Sequence, residues 1–337
     1  MANYPQLDNA SGVWNLRDVY DAVTGGYWPN ANNRAIVAGG FTPSYTSVIS
    51  DFNMASSGTT TSFGSLDIAR GEFGAMSNFT RCVFAGGNET PGGTNSNTLD
   101  YVQFATKGNT ANFGTIGADS QRTQGVGGNA TRGVFTEGTS DTNQIQYITI
   151  NSLGNAVDFG DRTLSGTYAA GVTSPTRTCF GGAFTPSTSN VIDFIEIATT
   201  GNAVDFGDLS NSIRDAGGCS SSTKGVFMGG ITPSYLNVLD LITIASQGNA
   251  TDYGDLTSAA RGNTGVSNSV AGFSCGGETS PAVVETINKF VIATGGTATD
   301  FGDLIEPTKN SASNSAAHGG LNDGYQGTRP IPFNEAG

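Results

Sequence analysis

The chain has 337 residues, of which 36% are hydrophobic and only 13% charged, and its formal net charge is −13. Such a surface suits neither nucleic acid nor an anionic membrane, since both are held by clustered Lys and Arg. No apolar run approaches a membrane span, and residues 1–10 lack the basic and apolar regions of a signal peptide, so neither membrane insertion nor export by a recognisable signal is expected.

The 49 glycines and 11 prolines fit many turns in an all-β protein better than they fit disorder. The first predicted element is nevertheless helical. Residues 11–23 (SGVWNLRDVYDAV) put Val13, Leu16, Val19, Tyr20 and Val23 on one face, with Ser11 as a cap and Gly25-Gly26 as a stop. Tyr27-Trp28-Pro29 follows. With Trp14 and Trp28, the only tryptophans of the chain, this segment is expected to be an anchoring interface made by Val13, Trp14, Leu16, Val19, Tyr20, Tyr27 and Trp28. The competing reading is that it caps the following domain.

From residue 34 onward a repeat of roughly 47 residues takes over. Gly-Gly recurs at 39–40, 86–87, 181–182, 229–230 and 276–277, with Glu137-Gly138 as a degenerate copy. An aromatic followed by Gly recurs in phase: Phe63-Gly64, Phe113-Gly114, Phe159-Gly160, Phe206-Gly207, Tyr253-Gly254 and Phe301-Gly302. Each unit reads as four short strands, the third being an alternating run such as 144–152 (QIQYITINS) or 191–199 (VIDFIEIAT). Gly-Asn at 108–109, 154–155, 201–202 and 248–249 is expected to form a tight hairpin turn before the fourth strand. Units this small must stack and close to bury both faces. The expected domain is a six-bladed β-propeller over residues 34–318, with 1–33 in front and an extended tail over 319–337. The chain enters at Arg34 on a second strand and ends near Asn310-Ser311-Ala312 on a first strand, so the C-terminal strand should complete the N-terminal blade.

The Gly-Gly strand end, the long third strand, the aromatic and a leading basic residue (Arg70, Arg122, Arg214, Arg261, Lys309; irregularly Arg162) resemble the kelch repeat. Phe stands where kelch units commonly carry Tyr or Trp, and residues 34–337 contain no Trp. The pattern Gly-Val-Trp-Asn-Leu before Gly-Gly-Tyr-Trp-Pro, and units with Gly-Asn-Ala-x-Asp-Phe-Gly-Asp-Leu, resemble virion structural proteins of tailed marine or cyanobacterial phages. That resemblance implies a virion protein assembled in the host cytoplasm. It would be displayed on a tail, fibre or capsid appendage, oligomeric in the particle, joined to other virion proteins through its N-terminal segment, and engaged with a host surface glycan or receptor.

Catalytic and cofactor signals are weak, and neither an enzyme nor a cofactor is expected. Asp-x-x-Asp recurs at Asp158/Asp161, Asp205/Asp208, Asp252/Asp255 and Asp300/Asp303, but becomes Ser62/Ser65 and Asn112/Thr115 in the first two units. Ca²⁺ binding and turn capping both suit such pairs, and the Ser, Asn and Thr replacements favour caps. Cys82, Cys179, Cys219 and Cys275 have unrelated spacings and read as buried free thiols, while His318 is the only histidine. Two function classes remain: a phage structural or adsorption module, and a glycan-binding or glycan-cleaving propeller. Aromatics and acids gathered at one propeller mouth would favour the second.

Overall fold

The computed structural model describes residues 33–317 apart from 90–93, 121–122, 124, 139–141 and 281. The segments 1–32 and 318–337, with the expected helix, the tail and His318, lie outside the described residues.

The six units form six antiparallel four-stranded blades, and no helix occurs among the described residues. Blade two shows the plan. Gly74–Ser77 is the inner strand, Arg81–Ala85 the second, Thr94–Gln103 the third and Ala111–Ser120 the outer one. Inner strands of neighbouring blades lie side by side around a common axis: Gly74–Ser77, Val126–Gly128, Ala170–Thr173, Gly217–Ser220, Thr264–Ser267 and Ala312–Ser315. The last of these pairs with Arg34–Ala38, so blade one draws its inner strand from the far end of the described chain.

Strand periodicity decides where each side chain goes. Alternate residues of a strand point to opposite faces, and here each face meets a different neighbouring blade. Ile36 and Ala38 pack with Phe73, Phe84 and Phe104 of blade two. Ala35 and Val37 pack with Phe273, Phe301 and Leu304 of blade six. The core is therefore six apolar layers between blades rather than one central mass.

Both sequence markers prove to be contacts between blades. A Cβ on Gly64 would lie 2.0 Å from the carbonyl oxygen of Gly108, and the same glycine-to-glycine approach recurs in all six blades, ending with Gly302 against Gly58. In four seams an Asn adds a bond to the preceding blade: Asn109, Asn155, Asn202 and Asn249 accept from the backbone N–H of Ser65, Thr115, Asp161 and Asp208, each at 3.1 Å. The Gly-Asn pairs thus do not form tight hairpins. They sit within seven-residue connections, such as 104–110, whose shape is set by the blade behind them. In the Gly-Gly turns, Gly39 and Gly40 have φ of +57° and +108°, and the Gly40 N–H donates to the Arg70 carbonyl at 2.8 Å. A side chain there would be strained and would collide with Arg70 or Thr308.

Every blade also carries a β-bulge at one place, between third and outer strands. The residues after it, Ser50, Asp100, Gln146, Asp193, Asp240 and Asn288, are all buried and polar. They are paired mainly with groups in the connection from the preceding blade: Asp193 meets Arg162 at 3.1 Å, and Asp100 meets Arg70 at 2.8 Å.

Strand directions divide the surface into two faces. Connections from second to third strand, and from outer strand to the next inner strand, form a mouth face. The remaining connections form a far face, and Asn33 and Ala317, where the described chain begins and ends, both lie there: Asn33 accepts from Met54 in a far-face connection, and the Ala316 N–H donates to Arg34.

Candidate functional site at the propeller mouth

The mouth begins with six residues that precede the inner strands: Glu72, Thr123, Tyr168, Asp215, Gly262 and Asn310. Glu72, Tyr168, Asp215 and Asn310 have φ between +54° and +63°, and these are the non-glycine residues with positive φ among those described. Their backbones are linked around the axis. Glu72 N–H donates to Asn310, Asn310 to Gly262, Gly262 to Asp215 and Asp215 to Tyr168, over 2.7–3.3 Å. A left-handed conformation costs a residue with a Cβ of order 1 kcal/mol or more, and such residues concentrate at binding and active sites. Four of them on one ring single out this face.

Beneath the ring the axis opens into a cavity of about 40 Å³, passing Ala75, Val126, Gly171, Gly218, Gly265 and Ser313. It has room for a water or two, too little for an organic ligand.

Three cations occupy equivalent positions there. Arg261 bonds Glu278 at 2.8 Å, lies 3.7 Å from Asp215, and stacks over Tyr235. Lys309 reaches the same Glu278 at 2.7 Å and stacks over Phe41, itself edge-on to Tyr45. Partial burial would push the Glu278 carboxyl up, but the hydrogen bonds and charges of Lys309 and Arg261 prevail and hold it below the ordinary Glu value. Burial likewise works against the charge on Arg261, which Glu278 and Asp215 nevertheless hold above its ordinary value. Arg214 lies over the rings of Phe184, at 4.3 Å, and Tyr168, at 5.8 Å. The Tyr168 hydroxyl lies 3.4 Å from Glu72, which also accepts from Asn88 at 2.6 Å. Aromatics, acids and cations thus meet on one face.

Sequence reading groups Arg70 with these cations, and the structure separates it. Arg70 stands one position earlier, is fully buried, and pairs with Asp100. Arg122 lies outside the described residues, and Arg162 is buried against Asp193. Val13, Trp14, Leu16, Val19, Tyr20, Tyr27 and Trp28 all lie outside the described residues as well.

The Asp-x-x-Asp pairs fall on outer strands. Asp252 and Asp300 accept from the N–H of Gly254 and Gly302, each at 3.1 Å, as local caps do. Asp158, Asp205, Asp252 and Asp300 are exposed, placing negative charge along blade edges that would otherwise invite strand pairing. Among the described residues no three His, Cys, Asp or Glu side chains converge as a metal site would require. All four cysteines are buried free thiols, and burial pushes Cys219 up to about 12.

A second set of cations goes unnoticed in the sequence reading. Arg34, Arg81, Arg132, Arg177 and Lys224 open the second strands of five blades. Each donates to a carbonyl of the next blade, as Arg132 does to Ile197 at 2.8 Å, and four stack on an aromatic ring. Their near-regular spacing at the head of the RCVF, RGVF, RTCF and KGVF runs is the signal that finds them. They are bolts between blades on the far face, separate from the mouth.

The architecture defines a six-bladed β-propeller. No protein-family model matches the chain, and no curated protein matches it.

Proposed function

We propose that this propeller is a display module of a tailed-phage virion, tethered from its far face and offering its mouth to a host surface glycan or receptor. The single observation that carries this reading is the opposition of the two faces. Asn33 and Ala317 leave on one side, while the ring of left-handed residues and stacked cations lies on the other. A tether through residues 1–32 would then leave the mouth clear. Resemblance to kelch units and to phage virion proteins supplies the particle setting. On this reading Val13, Trp14, Leu16, Val19, Tyr20, Tyr27 and Trp28 meet other virion proteins, the Ala312–Ser315 strand closes the ring, and the module works by binding rather than catalysis. A glycan-binding or glycan-cleaving propeller is the second reading, favoured by the same aromatics and acids at the mouth.

The test is to follow incorporation of the chain into purified particles by mass spectrometry. Residues 34–337 alone, and Trp14→Ala in the full chain, should fail to incorporate while melting as the intact propeller does. Incorporation of residues 34–337 at the wild-type level would refute tethering through the N-terminal segment. Lowered propeller stability in Trp14→Ala would make the segment a cap.

A further inference from the structure

Arg214, Arg261 and Lys309 occupy one position in three successive blades, and comparing them isolates the first. Each lies across a backbone bridge from a residue of its own blade: Arg261 from Glu278, Lys309 from Phe41, Arg214 from Ile231. Glu278 provides the carboxylate for both Arg261 and Lys309. Ile231 provides none. The Arg214 side chain makes no hydrogen bond and no ion pair among the described residues, although it is held in place against Phe184 and Tyr168. Stacking engages the face of a guanidinium and leaves its in-plane N–H groups available, in a fork that matches a carboxylate. In a chain of net charge −13, a fixed cation without a counter-ion among the described residues stands out at the mouth.

The neighbours of Arg214 extend the argument. The Tyr168 ring lies under Arg214 while its hydroxyl approaches the Glu72 carboxylate. A ligand lying across Tyr168 would therefore meet a planar cation at one end and, at the other, the Glu72 carboxylate with its Asn88 and Tyr168 partners. A sugar acid has the complementary parts on one ring: a carboxylate for the cation, hydroxyls for the acceptors and C–H faces for the aromatic. We propose that the mouth binds a carboxylate-bearing polysaccharide, with Arg214 pairing its carboxylate. This inference rests on the mouth being the outward, glycan-facing side.

Calorimetric titration of the full chain tests it, with polygalacturonate, neutral dextran and dextran sulfate as probes, alongside Arg214→Ala and Arg214→Lys. Polygalacturonate should bind in preference to both others. Arg214→Ala should weaken it about tenfold or more, as expected for a charge-assisted pair. Arg214→Lys keeps the charge without the fork and should fall between. If Arg214→Ala lowers the melting temperature, Arg214→Lys decides, and wild-type affinity in that variant overturns the proposal. Dextran sulfate bound as tightly as polygalacturonate, with no effect of Arg214→Ala, overturns it as nonspecific attraction. Binding of dextran alone overturns the carboxylate assignment but leaves the glycan-facing mouth standing. No binding to any of the three overturns the proposal, while incorporation into particles reads the display function separately.

Discussion

The hydroxyl of Ser77 donates to the carbonyl oxygen of Ser315, 2.8 Å away and 238 positions further along the chain. Ser315 in turn donates from its own hydroxyl to the carbonyl of Ser267, and Ser267 does the same to Ser220, both at 2.6 Å. Thr173 repeats the bond to Gly128 at 2.8 Å. Equivalent residues of the inner strands are thus stitched by hydroxyl-to-carbonyl bonds around most of the axis. Between blades four and five the Ser220 hydroxyl instead accepts from the Thr173 N–H at 3.1 Å, and between blades two and three the stitch is missing, because Gly128 has no side chain to offer.

Removing residues 310–337 should therefore leave the protein aggregated or unfolded, since blade one loses its inner strand and its two neighbours lose their bonds to Ser315 and Asn314. The single change Ser315→Ala should cost about 1 kcal/mol, the usual net worth of one buried hydrogen bond. Thermal melts of both proteins check this, and a truncated chain that melts as wild type would exclude the strand from any role in closure.

Gly64→Ala should destabilise by about 1–3 kcal/mol, because its new methyl group meets the Gly108 backbone 2.0 Å away and neither blade can yield without disturbing the next. Gly117→Ala is the matched control. Its Cβ would find nothing nearer than 3.6 Å, and a change within about 0.5 kcal/mol is expected. Urea denaturation midpoints of the two variants give the comparison.

Loss of one far-face bolt should be felt at a single seam. Arg132→Met removes the bonds to the Ile197 and Ala198 carbonyls and the charge over Tyr147, 4.7 Å from the ring centre. A cost of about 1–2 kcal/mol follows from one part-buried and one exposed hydrogen bond and one cation–π contact. Hydrogen exchange should quicken in the 150–156 and 197–203 connections before it does so elsewhere. Uniform quickening in all blades would contradict a local bolt.

Asp240 makes the pH dependence testable. Its Oδ2 accepts from the N–H and hydroxyl of Ser210, at 3.0 and 2.9 Å, while Oδ1 is buried without a partner. Burial pushes its carboxyl above the ordinary Asp value, more strongly than the Ser210 bonds pull it down. The folded chain therefore holds this proton more tightly than the unfolded chain does. Its contribution to stability is fullest below the ordinary Asp pKa of about 4, and is lost as pH rises through the raised value. Blade six carries Asn288 at the equivalent place, accepting the same two bonds from Thr257. Asp240→Asn should match or exceed wild-type stability near neutral pH and flatten the slope. Urea melts from about pH 4 to about pH 8 measure it, and a variant clearly weaker than wild type at neutral pH would show that the carboxylate is favourable there.

The blades are legible in the sequence because their contacts demand one residue type. Where Gly64 meets Gly108 no Cβ fits on Gly64, so the outer-strand side of the seam is written as glycine in every unit. The mouth is not legible in that way. Glu72, Tyr168, Asp215, Gly262 and Asn310 share a backbone conformation and a bonding pattern but no chemistry, so nothing in their letters marks them as equivalents. The pairing of Arg261 and Lys309 through Glu278, and the isolation of Arg214 opposite Ile231, depend on which side chains the second-to-third-strand connections bring across. The far-face bolts lie between these cases. Their period is visible, but the carbonyls they reach are 65–70 residues away and carry no letter of their own.

The exit of Asn33 and Ala317 on the same face has a mechanical consequence. Ala35 and Ser315 are paired neighbours on antiparallel strands, at the ends nearest those exits. Tension applied to the N-terminal side alone, against a load held at the mouth, drags Arg34–Ala38 lengthwise between two partners. The ladder bonds lie across that direction, so they share the strain and must yield together. Tension pulling both exits apart would instead peel the same strands open one bond at a time. Suspension by a single end would thus load these strands in shear, and suspension by both ends would load them in peeling.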